Sequence, residues 1–202
     1  MSQTAFAQAG SRQPKNSQAV AEITVGKNEF FDGRVVTKPT ANRWHNIITT
    51  NFVTAIGSRV HRSTCEIYAN DMLVRIGKES VCFPDVIVVS GEPTFADESS
   101  ILLENPTIII EVCSPTAKAG TRAKKLEGYL AVPDIKECLL VNENEMRIEH
   151  YTRQNAKQWI YRIYNEREDV IRLDCIDCKL SLTEVYAQVK LKPSEFSSKA
   201  VN

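Results

Sequence analysis

The chain carries no net charge: 25 Lys and Arg stand against 25 Asp and Glu in 202 residues. A balanced surface sets up no global field, which excludes attraction to nucleic acid or an anionic membrane by bulk charge and leaves only a local basic patch. The sequence also has no apolar run near the roughly 18 residues of a spanning helix, and its first residues show no basic segment followed by an apolar one. A soluble, cytoplasmic protein without membrane contact is expected. No internal repeat and no base-reading motif are visible. Cys175-Ile176-Asp177-Cys178 has the spacing of half a zinc site, yet no second such pair and no nearby histidine pair complete four ligands. The other four cysteines, Cys65, Cys82, Cys113 and Cys138, fall mostly in apolar strand-like runs and read as reduced core residues.

What is present is a set of short β-branched runs interrupted by two amphipathic stretches. Residues 1–22, rich in Ser, Gln and Ala, read as a flexible arm, residues 23–192 as one domain, and residues 193–202 as a polar tail. Glu29-Phe30-Phe31-Asp32-Gly33-Arg34-Val35-Val36 reads as a hairpin turned at Asp-Gly. Over residues 42–59, Trp44, Ile47, Ile48, Phe52, Ala55 and Ile56 recur at helical steps, with Asn42 placed to cap. Cys65-Glu66-Ile67-Tyr68 and Met72-Leu73-Val74-Arg75-Ile76 look like two strands around an Ala-Asn-Asp turn, and residues 90–105 like a polar surface loop. A helix is expected over residues 117–131, with Ala123, Leu126, Tyr129 and Leu130 on its apolar side, ended by Val132-Pro133. Strands follow over residues 137–141, 146–151, 159–164, 170–173 and 179–182, the first pair joined by a turn at Asn142-Glu143-Asn144-Glu145. The order describes an α+β or mixed α/β fold with a central mixed sheet flanked by helices and extra antiparallel strands. The long strand over residues 159–164 could serve as an edge for a homodimer, or be covered by the chain itself.

The chemistry concentrates where carboxylates enter apolar runs. Glu111 lies within Thr107-Ile108-Ile109-Ile110-Glu111-Val112, which reads as a strand buried on both faces. An isolated buried carboxylate is strongly disfavoured, so Glu111 implies a cation beside it, either a metal ion or a basic side chain such as Arg122. Asp85 opens a second such run, Pro84-Asp85-Val86-Ile87-Val88-Val89. If the two strands pair, the acids converge, and oxygen ligands of this kind suit Mg²⁺ or Mn²⁺. In the helix that follows, Lys125 and Tyr129 share a face, so Lys125 points inward and Lys124 toward solvent. Lys118, Arg122, Lys124 and Lys125 together form a basic cluster able to meet phosphates.

These residues resemble the Uma-type endonucleases, a bacterial branch of the PD-(D/E)XK nuclease superfamily. The resemblance rests on Pro84-Asp85, on Glu111-Val112-Cys113-Ser114-Pro115-Thr116, and on Lys125 with Tyr129 four residues on. It spans residues 29–182 and takes in the Asp32-Gly33 turn, His45 and the segment Val132-Pro133-Asp134-Ile135-Lys136-Glu137-Cys138-Leu139-Leu140-Val141. It implies a restriction-endonuclease-like core and hydrolysis of DNA phosphodiesters by a Mg²⁺-activated water. Asp85 and Glu111 would be metal ligands with the Val112 carbonyl as a third, Lys125 the catalytic lysine, and Glu29, His45 and Tyr129 supporting neighbours. Two departures stand out. Cys113 occupies the superfamily's usual lysine place two residues after the glutamate, and Thr121 stands where an acid commonly precedes the helix lysine. Each residue also has an ordinary structural reading, Asp85 as a turn residue, Lys125 as a solvated helix lysine and His45 as a satisfied helix histidine. The alternative function is a catalytically silent module of the same fold that binds nucleic acid or protein.

Overall fold

The computed structural model describes residues 27–31, 34–61, 63–96, 98–114 and 119–191. The arm at 1–22, the Asp32-Gly33 turn, Lys118 and the tail lie outside the described residues. Two sheets carry the fold. The larger contains β3 (Cys65–Ala69), β6 (Val86–Ser90), β8 (Ile108–Cys113), β9 (Glu137–Asn142), β10 (Ile148–Asn155) and β11 (Gln158–Tyr164) in the order β11-β10-β9-β8-β6-β3. It is mixed: β8 and β9 run parallel, with helix α2 (Ala119–Ala131) as their crossover, and the other neighbours are antiparallel. The smaller sheet has the order β2-β1-β5-β4-β7, built from β1 (Asn28–Phe31), β2 (Arg34–Thr37), β4 (Leu73–Gly77), β5 (Ser80–Cys82) and β7 (Leu102–Leu103). A separate hairpin pairs β12 (Val170–Leu173) with β13 (Cys178–Ser181) and leads into a short helix, α3 (Leu182–Val185), closed by a capping box between Ser181 and Glu184.

Alternation along the central strands assigns the two faces of the larger sheet. Val86, Val88, Ile108, Ile110, Val112, Leu139 and Val141 point to one side, where Ile48, Phe52 and Ile56 of helix α1 (Arg43–Gly57) and the β12–β13 hairpin complete a core. Ile87, Val89, Ile109, Cys138 and Leu140 point to the other, against Tyr129 of α2 and Val74 and Ile76 of the smaller sheet. Helix α1 starts where the sequence places it, because the Asn42 side chain accepts hydrogen bonds from the backbone N–H groups of Trp44 (2.8 Å) and His45 (3.0 Å).

Three expectations need correction. The runs at 65–68 and 72–76 do not form a hairpin, because β3 pairs with β6 while β4 pairs with β5 and β7 in the other sheet. The loop over 90–105 contains β7, whose Leu102 and Leu103 are buried beside β4. On α2, Tyr129 is buried and Leu126 and Leu130 are half-buried, but Ala123 is exposed, so the apolar stripe begins one turn later. At the edge of the larger sheet, β11 leaves Tyr161 and Ile163 open to solvent. Among the described residues no helix is long and apolar enough to cross a membrane.

Candidate active site

The alternation that builds the core also delivers the acids. With Ile109 facing α2 and the smaller sheet, Glu111 two residues on faces the same way; Asp85, two residues before Ile87, does likewise. Val86 is paired with Ile110, so Asp85 stands one rung beyond, at the level of Glu111, on the adjacent antiparallel strand. The junction is tight: Asp85 Oδ2 accepts the backbone N–H of Val112 at 2.7 Å. Asp85 is 0% exposed and Glu111 is 8% exposed, so both carboxylates must find their partners within the protein.

Those partners come from three other elements. From α2, the Lys125 ammonium donates to Glu111 Oε1 at 2.8 Å and to Glu29 Oε1 at 2.7 Å, while the Tyr129 hydroxyl donates to the same Glu111 oxygen. Glu29, on β1, is buried and also accepts the Phe83 N–H at 3.1 Å. Just past β2, the Lys38 ammonium lies 2.6 Å from Asp85 Oδ1 and 2.6 Å from the Phe83 carbonyl oxygen. From α1, His45 Nε2 lies 3.0 Å from Asp85 Oδ1 but off the hydrogen-bonding line, and among the described residues it has no hydrogen-bond partner. On its other side, His45 Nδ1 is 3.7 Å from Glu143 Oε2, also buried without a hydrogen bond, while Glu143 Oε1 accepts from Asn42 at 2.9 Å.

This arrangement drives the two acids apart. Burial opposes ionisation of Asp85, yet His45 and the Lys38 ammonium more than offset it and hold the carboxyl well below the usual range. At Glu111 burial, reinforced by the Asp85 charge, outweighs Lys125, and the carboxyl is raised. Burial likewise works against a charged Lys125, but Glu111 and Glu29 outweigh it and hold the ammonium well above the usual lysine range. The Tyr129 phenol, raised by burial and by the neighbouring Cys82 and Glu111, stays protonated and donates. Cys113, in the place of the superfamily lysine, is pushed up to about 12 by burial and remains a thiol.

A cavity of about 430 Å³ opens onto these groups, lined among others by Lys38, His45, Asp85, Glu111, Lys125 and Glu143. The structure therefore brings together Asp85, Glu111, Lys125, Glu29, His45 and Tyr129, with Val112 at the junction. Of the basic cluster, Arg122 lines the same cavity with its guanidinium 3.0 Å from Glu149, and Lys124 is exposed. Arg122 is not the partner of Glu111, a role that Lys125 and Tyr129 fill. Sequence reasoning did not point to Lys38 or Glu143. The first sits in a polar stretch before Pro39 and the second in an apparent turn, both of which look solvated.

The donor set suits a hard divalent ion. Two carboxylates from adjacent strands face one cavity, His45 Nε2 is buried beside them without a hydrogen bond, and a cation already sits against Asp85 as the Lys38 ammonium. Among the described residues no three His, Cys, Asp or Glu side chains cluster for metal binding, so an ion held by Asp85 and Glu111 would complete its shell with a backbone carbonyl, such as that of Val112, and with water.

The sequence matches the family model Uma2, described as "Putative restriction endonuclease", over residues 21–184. The chain belongs to the Uma2 family. A relative from Synechocystis sp., "Uncharacterized protein sll1609", is 33% identical over 140 residues, covering 69% of this chain and 79% of its own length. A second from the same organism, "Uncharacterized protein slr1290", is 25% identical over 161 residues, covering 79% and 83%. The crystal structure of "a putative nuclease belonging to DUF820" from Anabaena variabilis shares the fold with a TM-score of 0.70 at 19% identity, covering 83% of this chain and 93% of that one. The restriction-endonuclease-like core expected from sequence is thus the fold observed. In this Uma2 chain the strand glutamate is served by a lysine from the crossover helix, since α2 leaves β8 on the face that Glu111 occupies.

Proposed function

We propose that the protein is a divalent-metal-dependent nuclease that hydrolyses DNA phosphodiesters. The observation that carries this reading is the convergence of Asp85 and Glu111 from adjacent strands on one cavity, with the Lys125 ammonium 2.8 Å from Glu111. Asp85 and Glu111 would hold Mg²⁺ or Mn²⁺, which when bound lowers the pKa of water and neutralises charge on a phosphoryl oxygen. The protein's own groups do the rest. Glu29 and Glu111 keep Lys125 charged and fixed, so its ammonium can orient the attacking water and stabilise the negative charge that develops at phosphorus. Tyr129, donating to the same Oε1, helps fix the Glu111 rotamer. Water adds to phosphorus as the bond to the 3′ oxygen breaks, leaving a 3′ hydroxyl. With zero net charge on the chain, phosphate contacts fall to local side chains, Arg122 on the cavity wall first and Lys124 beside it on the same helix.

The test is cleavage of supercoiled and linear DNA in Mg²⁺ or Mn²⁺ by the wild type, Asp85→Asn and Lys125→Met. Wild-type cleavage that EDTA abolishes and that falls at least about 100-fold in either variant is expected. An Asp85→Asn protein cutting at the wild-type rate would refute the assignment.

A further inference from the structure

Two lysines enter this site, and they are not held alike. Lys125 is clamped between two buried carboxylates, Glu111 and Glu29. Lys38 has one carboxylate oxygen, Asp85 Oδ1, and one carbonyl oxygen, that of Phe83, each at 2.6 Å; the two side chains are about equally buried, and what differs is that Lys38 has a single carboxylate partner. Its backbone is fixed separately, where the Lys38 N–H reaches the Lys27 carbonyl at the foot of the β1–β2 hairpin, so the ammonium can move without the chain moving. Its neighbours Thr37, Pro39 and Thr40 line the cavity, so four methylenes give the ammonium a route from Asp85 to the opening.

We infer that the Lys38 ammonium is a tethered stand-in for the divalent ion, occupying the cation seat at Asp85 and leaving it when metal binds. The inference rests on the reading of Asp85 and Glu111 as the metal ligands. Its grounds are charge and ligand type. Lys38 takes up the one Asp85 oxygen that the Val112 N–H leaves over, and does so with a carbonyl oxygen as second partner, a pair that a hard cation would also choose. An ion bound there would stand within a few ångströms of an ammonium of like sign beside a buried carboxylate, so the two cannot share it. Lys125 also borders a proposed ligand, Glu111, but it is held by a second carboxylate outside the ligand pair, Glu29 of the smaller sheet, and so can stay in place when an ion binds. Metal loading is then an exchange of one cation for another, and the measured affinity is the intrinsic one reduced by the fraction of molecules in which Lys38 has swung away. Once released, the ammonium lies toward the mouth of the cavity, where a substrate phosphate would enter.

Calorimetric titration of the full chain with MnCl₂ tests this directly, using the wild type, Lys38→Met, Lys38→Gln and Asp85→Asn, each checked for folding by its thermal transition. If Lys38 stands aside in about one molecule in ten, removing its charge tightens Mn²⁺ binding about tenfold at unchanged stoichiometry. Asp85→Asn should lose binding. Equal or weaker binding by both Lys38 variants, with binding still lost in Asp85→Asn, would overturn the inference and leave the metal site standing. Wild-type binding that survives in Asp85→Asn, or no binding in any protein, would overturn the metal site and this inference together. A second readout needs no variant at the site: in ¹⁵N-lysine-labelled protein the Lys38 ammonium resonance should shift or vanish on saturation with Mg²⁺ while that of Lys125 persists. A Lys38 resonance unmoved at saturation would count against the exchange.

Discussion

Replacing each site acid by its amide should affect folding stability very differently, although both acids are buried on one face of one sheet. Asp85 uses both carboxylate oxygens: Oδ2 accepts from Val112 N–H at 2.7 Å and Oδ1 receives Lys38 at 2.6 Å. An asparagine offers one acceptor, so in either rotamer an NH₂ group faces the Val112 N–H or the Lys38 ammonium. Stranding a buried charge or donor in this way costs about 3 kcal/mol, which in a chain of this size lowers Tm by about 6 to 12 °C. Glu111 receives Tyr129 and Lys125 on the single oxygen Oε1, which glutamine can present to both, and Lys125 keeps Glu29. Its carboxyl is raised by burial and by the Asp85 charge, so ionising it works against the fold. Glu111→Gln is therefore expected to leave stability unchanged or raise it by about 1 kcal/mol, as removal of functional strain does elsewhere.

The pH dependence follows from the same directions. Asp85 has a depressed folded value, so its contribution is present above the unfolded carboxylate pKa of about 3.9 and is lost as pH falls further. The gap between wild type and Asp85→Asn should narrow below about pH 4. Glu111 has a raised folded value, so its penalty appears above the unfolded glutamate pKa of about 4.3. Any advantage of Glu111→Gln should accordingly vanish as the wild type takes up its proton on acidification toward that pH. Urea unfolding in EDTA between about pH 2 and 8 measures both. A Glu111→Gln protein destabilised as much as Asp85→Asn, or a gap that widens in acid, would refute this account of the site.

Three further outcomes are expected. Tyr129→Phe removes the hydroxyl that donates to Glu111 and sits 3.2 Å from Cys82 Sγ; it should cost about 1 to 2 kcal/mol in urea unfolding and weaken Mn²⁺ binding in calorimetry. Gly128→Val should cost about 1 to 3 kcal/mol by thermal melt, because even a Cβ there would stand 2.7 Å from Ile76 Cδ1, where α2 lies on β4. His150→Leu strands the buried Glu137 carboxylate, which His150 holds at 2.7 Å, and should cost about 3 kcal/mol while leaving Mn²⁺ affinity unchanged, since neither residue lines the cavity.

The parts of this protein legible in its sequence are those where local pattern and tertiary environment agree. Val86–Ser90 and Ile108–Cys113 are continuous apolar runs, so an acid within or just before one is conspicuous, and strand alternation then places Asp85 and Glu111 on the same side. Lys125 and Tyr129 follow from helical spacing. Strands β5 and β7 were not legible because two or three residues carry no period. The pairing of β3 and β4 was misread because proximity in sequence favours a hairpin, while Cys65–Ala69 finds a longer partner in β6. Lys38 and Glu143 escaped for a related reason. Each lies in a polar stretch whose composition suggests water, and only the packing of the smaller sheet and of α1 against β8 and β9 turns them inward.

The charged network also joins separate parts of the fold. Asp85 and Glu111 belong to the larger sheet, Glu29 and Lys38 to the hairpin of the smaller one, and Lys125 to the helix between them. The same atoms are thus exposed to two kinds of selection. A descendant with no remaining use for hydrolysis would still be held to Asp85, Lys38, Glu29 and Lys125 by the need to keep its sheets together, and would look intact at those positions. Glu111 is the position that separates the two histories: folding alone does not demand its charge, so its retention in a lineage points to continued use.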